Sequence, residues 1–312
     1  MRLEVQHIEV IAERVKRLRF VSPDGSPLPS FVPGTHIELT LDTPDGKLVR
    51  QYSLVSSPSA PHYEIAVLHT ESSRGGSRFL HESVKSGDLL EVSTPRGTFR
   101  LAERASNHTL IAGGIGITPL FAFASSLKER SESYHLRYSA RSRERMAFAD
   151  LIGQEHAASS TLYVDRDGGS SLDLESVVGT PDGDHHLYVC GPRVMIEAVK
   201  RIATERGFRA EQVHFETFGA ASVTRRPPVR LHLLQSGLTI VVPPEKSLLE
   251  AMESAGAWVN SDCRRGDCGK CTLGYRDGEV EHLDVCLTDE ARRTQLTPCI
   301  SRAISDSLSV DA

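Results

Sequence analysis

The 312-residue chain contains a single tryptophan, only four methionines and little excess charge. It has no apolar run approaching the ~20 residues that a membrane-spanning helix needs, so we expect no membrane partner. The 36 basic residues oppose 41 acidic residues, which gives a net charge of −5. Non-specific nucleic-acid binding needs clustered positive charge, so this function is also disfavoured. The N-terminal residues contain no secretory apolar stretch, and we therefore expect a cytoplasmic protein with reduced cysteines.

Three patterns divide the chain. Residues 1–103 contain short alternating strands with turns such as Asp45-Gly46, which predicts an antiparallel β-barrel. Residues 104–222 alternate apolar strands with helices, which predicts an α/β domain with a parallel sheet. Residues 223–228 end in two prolines and are predicted to form a linker. Residues 229–312 hold thirteen acidic and nine basic residues, and therefore four of the five net negative charges.

Cysteine is rare except at the C-terminal end, where five of the six cysteines lie within the last fifty residues. A disulfide framework is usually spread more evenly, so this clustering favours a metal site. Four of the five follow C-x4-C-x2-C…C with 27 residues before the last, which is the plant-type [2Fe–2S] spacing. The predicted ligands are Cys263, Cys268, Cys271 and Cys299. Gly266 and Gly269 allow positive φ, so backbone N–H groups can point at sulfur and raise the reduction potential.

Two alternatives remain open at this loop. A zinc site also uses four cysteines, but zinc sites more often contain two C-x2-C pairs, and here there is one. Cys286 is a second candidate for the fourth ligand. We favour Cys299, which precedes a predicted strand, and interpret Cys286 as a buried small hydrophobe.

A glycine-rich turn, Gly113-Gly114-Ile115-Gly116, joins a predicted strand to a predicted helix. Glycines let a pyrophosphate approach backbone N–H groups at a helix N-terminus. Thr118 is suited to the N-cap and Pro119 to the first helical position. Because Pro119 replaces the third glycine of G-x-G-x-x-G, a purely structural turn fits equally well. The segment Cys190-Gly191-Pro192 follows a later strand, and the two motifs together favour a nucleotide pocket, although Cys190 alone fits a core position.

The segment Arg50-Gln51-Tyr52-Ser53-Leu54 lies on a predicted barrel strand, where alternation places Arg50, Tyr52 and Leu54 on one face. Arginine can bind a phosphate, tyrosine can pack against a flat ring, and serine can hydrogen-bond the ring edge. Residues 73–77, Ser-Arg-Gly-Gly-Ser, begin a helical segment and offer a second anion cradle. An ordinary strand with a surface arginine fits the first segment as well.

The motifs RQYSL, GGIGITP, VCGP and C-x4-C-x2-C…C occur in the order found in the phthalate dioxygenase reductase and vanillate O-demethylase reductase family. The chain resembles this family over its whole length. The first three motifs are shared with the wider ferredoxin–NADP reductase superfamily. The cysteine motif restricts the resemblance to reductases that carry a C-terminal ferredoxin domain. It implies an antiparallel β-barrel that binds FMN in preference to FAD, an α/β nucleotide-binding domain and a C-terminal β-grasp plant-type ferredoxin domain.

The resemblance also assigns site residues. Those that match flavin-binding positions are Arg50, Tyr52, Ser53, Leu54, Val67, Leu68, His69, Gly76 and Ser77. Those that match nicotinamide-dinucleotide positions are Gly114, Gly116, Thr118, Pro119, Cys190, Gly191 and Pro192. Glu216 and Phe218 match an E-x-F segment near the flavin, and Ser53, Cys190 and Phe218 are the expected residues at the hydride-transfer site. His282-Leu283-Asp284 departs from the usual H-R-D, and Cys286 is atypical there.

The resemblance implies a relay from NADH through FMN and the cluster to an oxygenase of the Rieske non-haem iron type. Two alternatives share the motifs: a reductase for another acceptor, such as a haem protein, and a subunit of a larger dehydrogenase. We expect a monomer. The acidic ferredoxin domain is expected to dock on a basic surface of the oxygenase, so added salt should weaken turnover.

Side chains after two strands of the α/β domain bear on the choice of coenzyme. Asp165 and Asp167 disfavour a 2′-phosphate, whereas Ser139, Arg141 and Arg143 are able to accept one. On this balance we expect NADH, with NADPH as the alternative.

Overall fold

The computed structural model describes residues 1–44, 46–70, 75–165, 171–218 and 227–312. The chain divides into two compact units, Met1–Glu216 and Thr217–Ala312. Most of the predicted linker lies outside the described residues, and so do Asp45, Ser73, Arg74 and Asp167. The boundaries predicted within the first unit and at the linker stay predictions. None of the described helices has the length and apolar character needed to span a membrane.

The first part of unit one is an antiparallel barrel. Its elements are β1 (Arg2–Ala12), β2 (Val15–Val21), β3 (His36–Thr43), β4 (Gly46–Ser53), β5 (Tyr63–Leu68), α1 (Gly76–Glu82) and β6 (Leu89–Val92). The strand order is β4-β3-β6-β1-β2-β5. An antiparallel bridge links Leu54, the residue directly after β4, to Ile65 of β5 and so brings the two ends of the sheet together. Because successive side chains alternate between faces, one face of each strand fills the interior, where Phe20, Ile37 and Leu39 are fully buried.

The second part of unit one is a parallel sheet flanked by helices. Its elements are β7 (Asn107–Gly113), α2 (Ile117–Glu129), β8 (Tyr134–Ala140), α3 (Ala149–Glu155), β9 (Ser160–Val164), α4 (Leu174–Val178), β10 (His185–Gly191), α5 (Arg193–Glu205) and β11 (Val213–Thr217). The last residue of β11, Thr217, is the first residue of unit two. The strand order is β11-β10-β7-β8-β9. The chain therefore adds strands on one side of β7 and later on the other. Ligands of such sheets bind at the carboxyl ends of the strands where the order reverses, which here is between β7 and β10.

Unit two is a mixed sheet packed against one helix. Its elements are β12 (Val229–Leu233), β13 (Leu238–Val242), α6 (Leu248–Ser254), β14 (Leu273–Asp277), β15 (Val280–Glu281), β16 (Gln295–Leu296), β17 (Arg302–Ala303) and β18 (Ser307–Val310). The larger sheet has the order β13-β12-β18-β14-β16. A capping box starts α6: Ser247 Oγ accepts from the Glu250 N–H at 3.1 Å, and the Glu250 carboxylate accepts from the Ser247 N–H at 2.7 Å. The cysteine loop connects α6 to β14.

Candidate functional site

The four predicted cluster ligands lie together in unit two. Cys263 Sγ accepts hydrogen bonds from the backbone N–H groups of Arg265 and Cys268, each at 3.4 Å. A thiol hydrogen bond between Cys263 and Cys268 raises the pKa of Cys263 to about 12 and lowers the pKa of Cys268 to about 6. A second thiol hydrogen bond, between Cys271 and Cys299, lowers the pKa of Cys271 and raises that of Cys299. The four thiols thus form two hydrogen-bonded pairs, and four thiolates are the ligands that a [2Fe–2S] cluster takes.

No three His, Cys, Asp or Glu side chains in the described part of the chain are grouped as they would be around a single metal ion. In a binuclear cluster the four ligands are shared between two irons, and the pairing of the thiols fits that donor set.

The conformation of the loop depends on glycine. Gly266 has φ 81° and Gly269 has φ 67°, so the positive φ predicted at both positions is confirmed. A Cβ on Gly266 would lie 2.7 Å from Ile300 Cγ2 and 2.9 Å from Asp284 Cα, so space as well as backbone conformation excludes a side chain there. Arg264 also has a positive φ, 53°, which the sequence does not indicate.

Asp284 and Arg292 lie beside the cysteine loop and stabilise its conformation. The sequence did not predict this role. The Val285 N–H donates to the Gly266 carbonyl at 3.1 Å. The Asp284 side chain is fully buried, and its Oδ2 accepts from the Leu287 N–H at 2.9 Å. Arg292 Nη2 donates to the Asp284 carbonyl at 2.7 Å and lies 3.5 Å from Oδ2. Arg292 belongs to no cysteine motif, so only the folded chain identifies it.

Cys286 lies beside the loop but outside the two thiol pairs. It is half-buried, so the prediction that it is a buried residue is wrong. Burial, and then the nearby Asp284 carboxylate, raise the pKa of Cys286 to about 12. Its Sγ lies 3.9 Å from Asp284 Oδ2. The structure places Cys299, and not Cys286, against Cys271, and the assignment of Cys299 as ligand stays a prediction.

The predicted flavin strand places two polar side chains on the same face of the sheet as buried residues of the neighbouring strand. Arg50 pairs with Leu39 and Tyr52 pairs with Ile37 across β3 and β4, and both partners are fully buried. Burial raises the pKa of Tyr52. A Cβ on Gly76 would lie 2.6 Å from Arg50 Cγ and 2.8 Å from Nε. The arginine therefore crosses the first turn of α1, and this turn and the guanidinium form a cradle that fits a flavin phosphate.

Other members of the predicted flavin set differ in exposure. The side chains of Ser53, Leu54 and Val67 are buried, and Leu54 and Val67 belong to the barrel core. The His69 ring stacks on the His81 ring with centroids 5.1 Å apart. Leu68, His69 and Ser77 are half-buried, and Gly76 is buried.

The glycine turn starts its helix differently from the prediction. Gly114–Gly116 form a 3₁₀ turn that runs directly into α2, so Gly116 is the N-cap. The prediction of Thr118 as N-cap is wrong, and Pro119 is the third helical residue instead of the first. Thr118 Oγ1 instead donates back to the Ile115 carbonyl at 3.1 Å. Proline is tolerated here because N–H groups of the first turn have no partner within the helix.

The two nucleotide motifs pack backbone against backbone at the carboxyl ends of β7 and β10. A Cβ on Gly116 would lie 2.2 Å from the Cys190 carbonyl oxygen, and one on Gly191 would lie 3.0 Å from Gly113 Cα. Gly114, by contrast, has φ 56° and no atom within 4 Å of its Cβ position. Close packing thus explains why positions 113 and 116 are glycine. At Gly114 the backbone is not covered by other atoms, which is what the approach of a pyrophosphate requires.

Adding a methyl group at Gly116 should impair coenzyme binding. We expect Gly116→Ala to raise KM for NADH about tenfold, roughly 1.4 kcal/mol, because the methyl must displace the end of β10. The measurement is NADH-dependent ferricyanide reduction, with flavin and iron content determined on the same samples. Gly153→Ala is the matched control, since that helical glycine has nothing within 4 Å of its Cβ position. An unchanged KM in Gly116→Ala would contradict the packing argument.

Exposure also separates the remaining predicted residues. Thr118, Pro119 and Cys190 are buried, whereas Gly114 and Gly191 are half-buried and Pro192 is exposed. Glu216 is buried and Phe218 is half-buried. Sequence reasoning missed Asp267, whose carboxylate accepts hydrogen bonds from the Thr217 hydroxyl and from its N–H, the latter at 3.0 Å. Burial raises the pKa of Asp267 to about 6, and Arg265 opposes that shift.

Comparison with known proteins supports each domain. Family models match an oxidoreductase FAD-binding domain over residues 2–101, an oxidoreductase NAD-binding domain over 110–201 and a 2Fe-2S iron-sulfur cluster binding domain over 231–303. The carnitine monooxygenase reductase subunit of Escherichia coli (strain K12) is 38% identical, covering 99% of this chain and 97% of its own. The heme-dependent oxidative N-demethylase beta subunit of Ectopseudomonas mendocina (strain ymp) is 37% identical, and the alignment covers 92% of this chain and 91% of that subunit.

The solved structure of phthalate dioxygenase reductase matches the whole of this chain with a TM-score of 0.80 and 33% sequence identity. The match also covers 98% of the solved chain. The predicted fold class, with an antiparallel flavin barrel, a parallel nucleotide-binding sheet and a C-terminal ferredoxin domain, is confirmed. The chain is therefore an oxidoreductase with flavin-, NAD- and [2Fe–2S]-binding domains, and it belongs to the phthalate dioxygenase reductase family.

Proposed function

We propose that the chain is the NADH-dependent, FMN-containing reductase component of a two-component oxygenase, and that its acceptor is an oxygenase of the Rieske non-haem iron type. One observation carries the proposal: a single chain combines a flavin barrel, a nucleotide-binding sheet and four paired thiols. Full-length relatives named as reductase subunits of a monooxygenase support an oxygenase as acceptor.

A bound flavin would supply a hydride acceptor for reduced nicotinamide, and a bound cluster would supply a one-electron acceptor for the flavin. The protein binds and orients these groups. Arg50 supplies a cation beside the first turn of α1 for the flavin phosphate. Gly114 leaves the backbone open to the pyrophosphate at the point where the strand order reverses. The N–H groups of Arg265 and Cys268, directed at Cys263 Sγ, stabilise negative charge on the sulfur ligands.

The preference for NADH is supported by the surroundings of β8 and β9. Ser139, the penultimate residue of β8, donates to Asp165 Oδ1 at 3.4 Å, and Asp165 is exposed directly after β9. Arg143 pairs with Asp150 at 2.9 Å, so this guanidinium already has a carboxylate partner. A carboxylate at this edge accepts hydrogen bonds from ribose hydroxyls and repels a 2′-phosphate.

Removing this carboxylate should shift the coenzyme preference. We expect Asp165→Ala to change the ratio of kcat/KM for NADH to that for NADPH by about tenfold in favour of NADPH, because repulsion of the 2′-phosphate is lost. The ratio is measured from initial rates of ferricyanide reduction with each coenzyme. Asp182→Ala, at an exposed aspartate that precedes the amino end of the inner strand β10, should leave the ratio unchanged. Equal ratios in wild type and Asp165→Ala would contradict this role.

The proposed relay is tested by anaerobic absorbance titration of the purified protein with NADH, together with flavin, iron and zinc analysis. We expect flavin bleaching and loss of the longer-wavelength iron–sulfur band, at about two irons and one FMN per chain. The reduced protein is then offered to the oxygenase components of the systems to which the named relatives belong. A colourless, zinc-loaded protein that does not respond to NADH would contradict the proposal.

A haem protein is the second candidate acceptor. The specific observation in its favour is the 37% identity to a subunit of a heme-dependent oxidative N-demethylase. The acceptor assay separates the two candidates when the haem-containing component of that system is included beside a Rieske oxygenase. Faster reduction of the haem component would favour the second candidate.

A further inference from the structure

The only tryptophan of the chain is also its most exposed large hydrophobic residue in the described ranges. Trp258 is 85% exposed and follows α6, five residues before Cys263. It lines an open cavity of about 430 Å³ together with Glu253 and Asn260, and the neighbouring Val259 is buried. A tryptophan combines a large apolar ring with one N–H donor, and such side chains are enriched in the centres of protein interfaces.

The cavity lies next to the cluster loop. Glu253, in its wall, accepts two hydrogen bonds from the Arg264 guanidinium, at 2.6 and 3.1 Å. Arg264 directly follows Cys263, one of the predicted cluster ligands. A protein that covers Trp258 therefore also approaches the loop through which electrons leave the cluster.

The cations of the loop are paired with carboxylates. Arg264 pairs with Glu253, Lys270 pairs with Asp262 at 2.6 Å, and Arg265 lies 3.5 Å from Asp267. These pairs neutralise the charged side chains around the loop, although the domain as a whole is acidic. The net charge of the domain acts over a distance on the encounter with a partner, whereas the surface beside the loop offers an indole and polar groups.

We propose that Trp258 and the adjacent cavity form the docking surface for the electron-acceptor oxygenase, whose matching surface is an apolar pocket within the basic surface expected to attract the acidic domain. This inference rests on the proposed function. Electron transfer requires the acceptor to come close to the cluster loop, and Trp258 is the exposed aromatic side chain in the segment that leads into that loop. Truncating an aromatic anchor at the centre of an interface weakens binding strongly, while contacts at the rim contribute little.

The experiment uses the holoprotein and the oxygenase component that accepts electrons fastest in the acceptor assay above. We expect Trp258→Ala to raise the oxygenase concentration at half-maximal rate about tenfold or more, and Trp258→Phe to recover part of that loss. NADH-dependent ferricyanide reduction should be unchanged, because it does not need the protein acceptor. Val241→Ala is the matched control, since Val241 is also exposed (64%) but lies on the edge strand β13.

Direct contact is measured by fluorine NMR of the holoprotein labelled with fluorotryptophan. Since the chain has one tryptophan, the label gives a single site, and its resonance should shift or broaden as unlabelled oxygenase is added. An unchanged resonance with equal rates in wild type and Trp258→Ala would overturn the docking surface alone. A resonance that changes with reductase concentration in the absence of oxygenase would assign the surface to a second copy of this chain, and would overturn it too. Failure of the wild type to reduce any oxygenase would overturn the proposed function itself.

Discussion

Replacing Cys299 by serine is expected to abolish electron transfer through the cluster while NADH still reduces the flavin. Cys299 is buried and its thiol contacts Cys271, so its loss removes one of the four predicted sulfur ligands. A hydroxyl is a poor substitute for a thiolate at iron, because Fe–S clusters are held by Cys thiolates. We expect iron to fall well below the two atoms per chain of an intact cluster. Oxygenase reduction should fall on the order of a hundredfold, while ferricyanide reduction, which needs only the flavin, continues.

Cys286→Ser is the matched control for that variant. Cys286 is half-buried, lies in the same unit and contacts Asp284 instead of another cysteine. The serine variant should therefore keep its iron, its visible spectrum and its rate with the oxygenase. Loss of iron from the Cys286 variant, with retention in the Cys299 variant, would reverse the assignment of the fourth ligand.

Local patterns in the sequence predicted most elements of the fold. The alternation in β1 and β2, the apolar run of β7 and the helix that follows it depend on neighbours in the chain, so periodicity is enough to find them. Three of the four thiols lie within nine residues, from Cys263 to Cys271, and their spacing by itself indicates the cluster type. The order of the four motifs then predicted the family, which the comparisons confirm.

The details that could not be predicted depend on contacts between distant segments. Gly116 is constrained by the Cys190 carbonyl, which is 74 residues away in the sequence, so its packing role is visible only once β7 and β10 lie side by side. The N-cap assignment of Thr118 failed because a 3₁₀ turn precedes α2 without a break. The support of the cluster loop by Arg292 was missed for the same reason, since no local pattern links this residue to Gly266.

Removing the Asp284 carboxylate is expected to destabilise unit two and to accelerate loss of the cluster. The side chain is fully buried, and the Arg292 side chain beside it is 22% exposed. Deleting one partner of a buried ion pair costs about 3–5 kcal/mol. Because Arg292 is partly exposed and keeps Asp289 as a partner, we expect the lower end of this range, about 3 kcal/mol. The lost hydrogen bond to the Leu287 N–H adds to this cost. For Asp284→Ala we therefore expect a free energy of unfolding lower by this amount, measured by denaturant titration of the holoprotein with the cluster absorbance as the signal.

Asp289→Ala tests whether burial is the reason. Asp289 is the other carboxylate partner of Arg292, at 3.4 Å, but its side chain is fully exposed. Water screens an exposed pair, so its removal should leave the unfolding midpoint and the rate of iron release unchanged. Equal destabilisation by the two substitutions would mean that the exposed and the buried carboxylate stabilise Arg292 to the same extent. The buried contact between Asp284 and Arg292 would then have no special role. A large effect of Asp284→Ala alone, with faster iron release, would identify this contact as the one that maintains the loop geometry for the four thiolates.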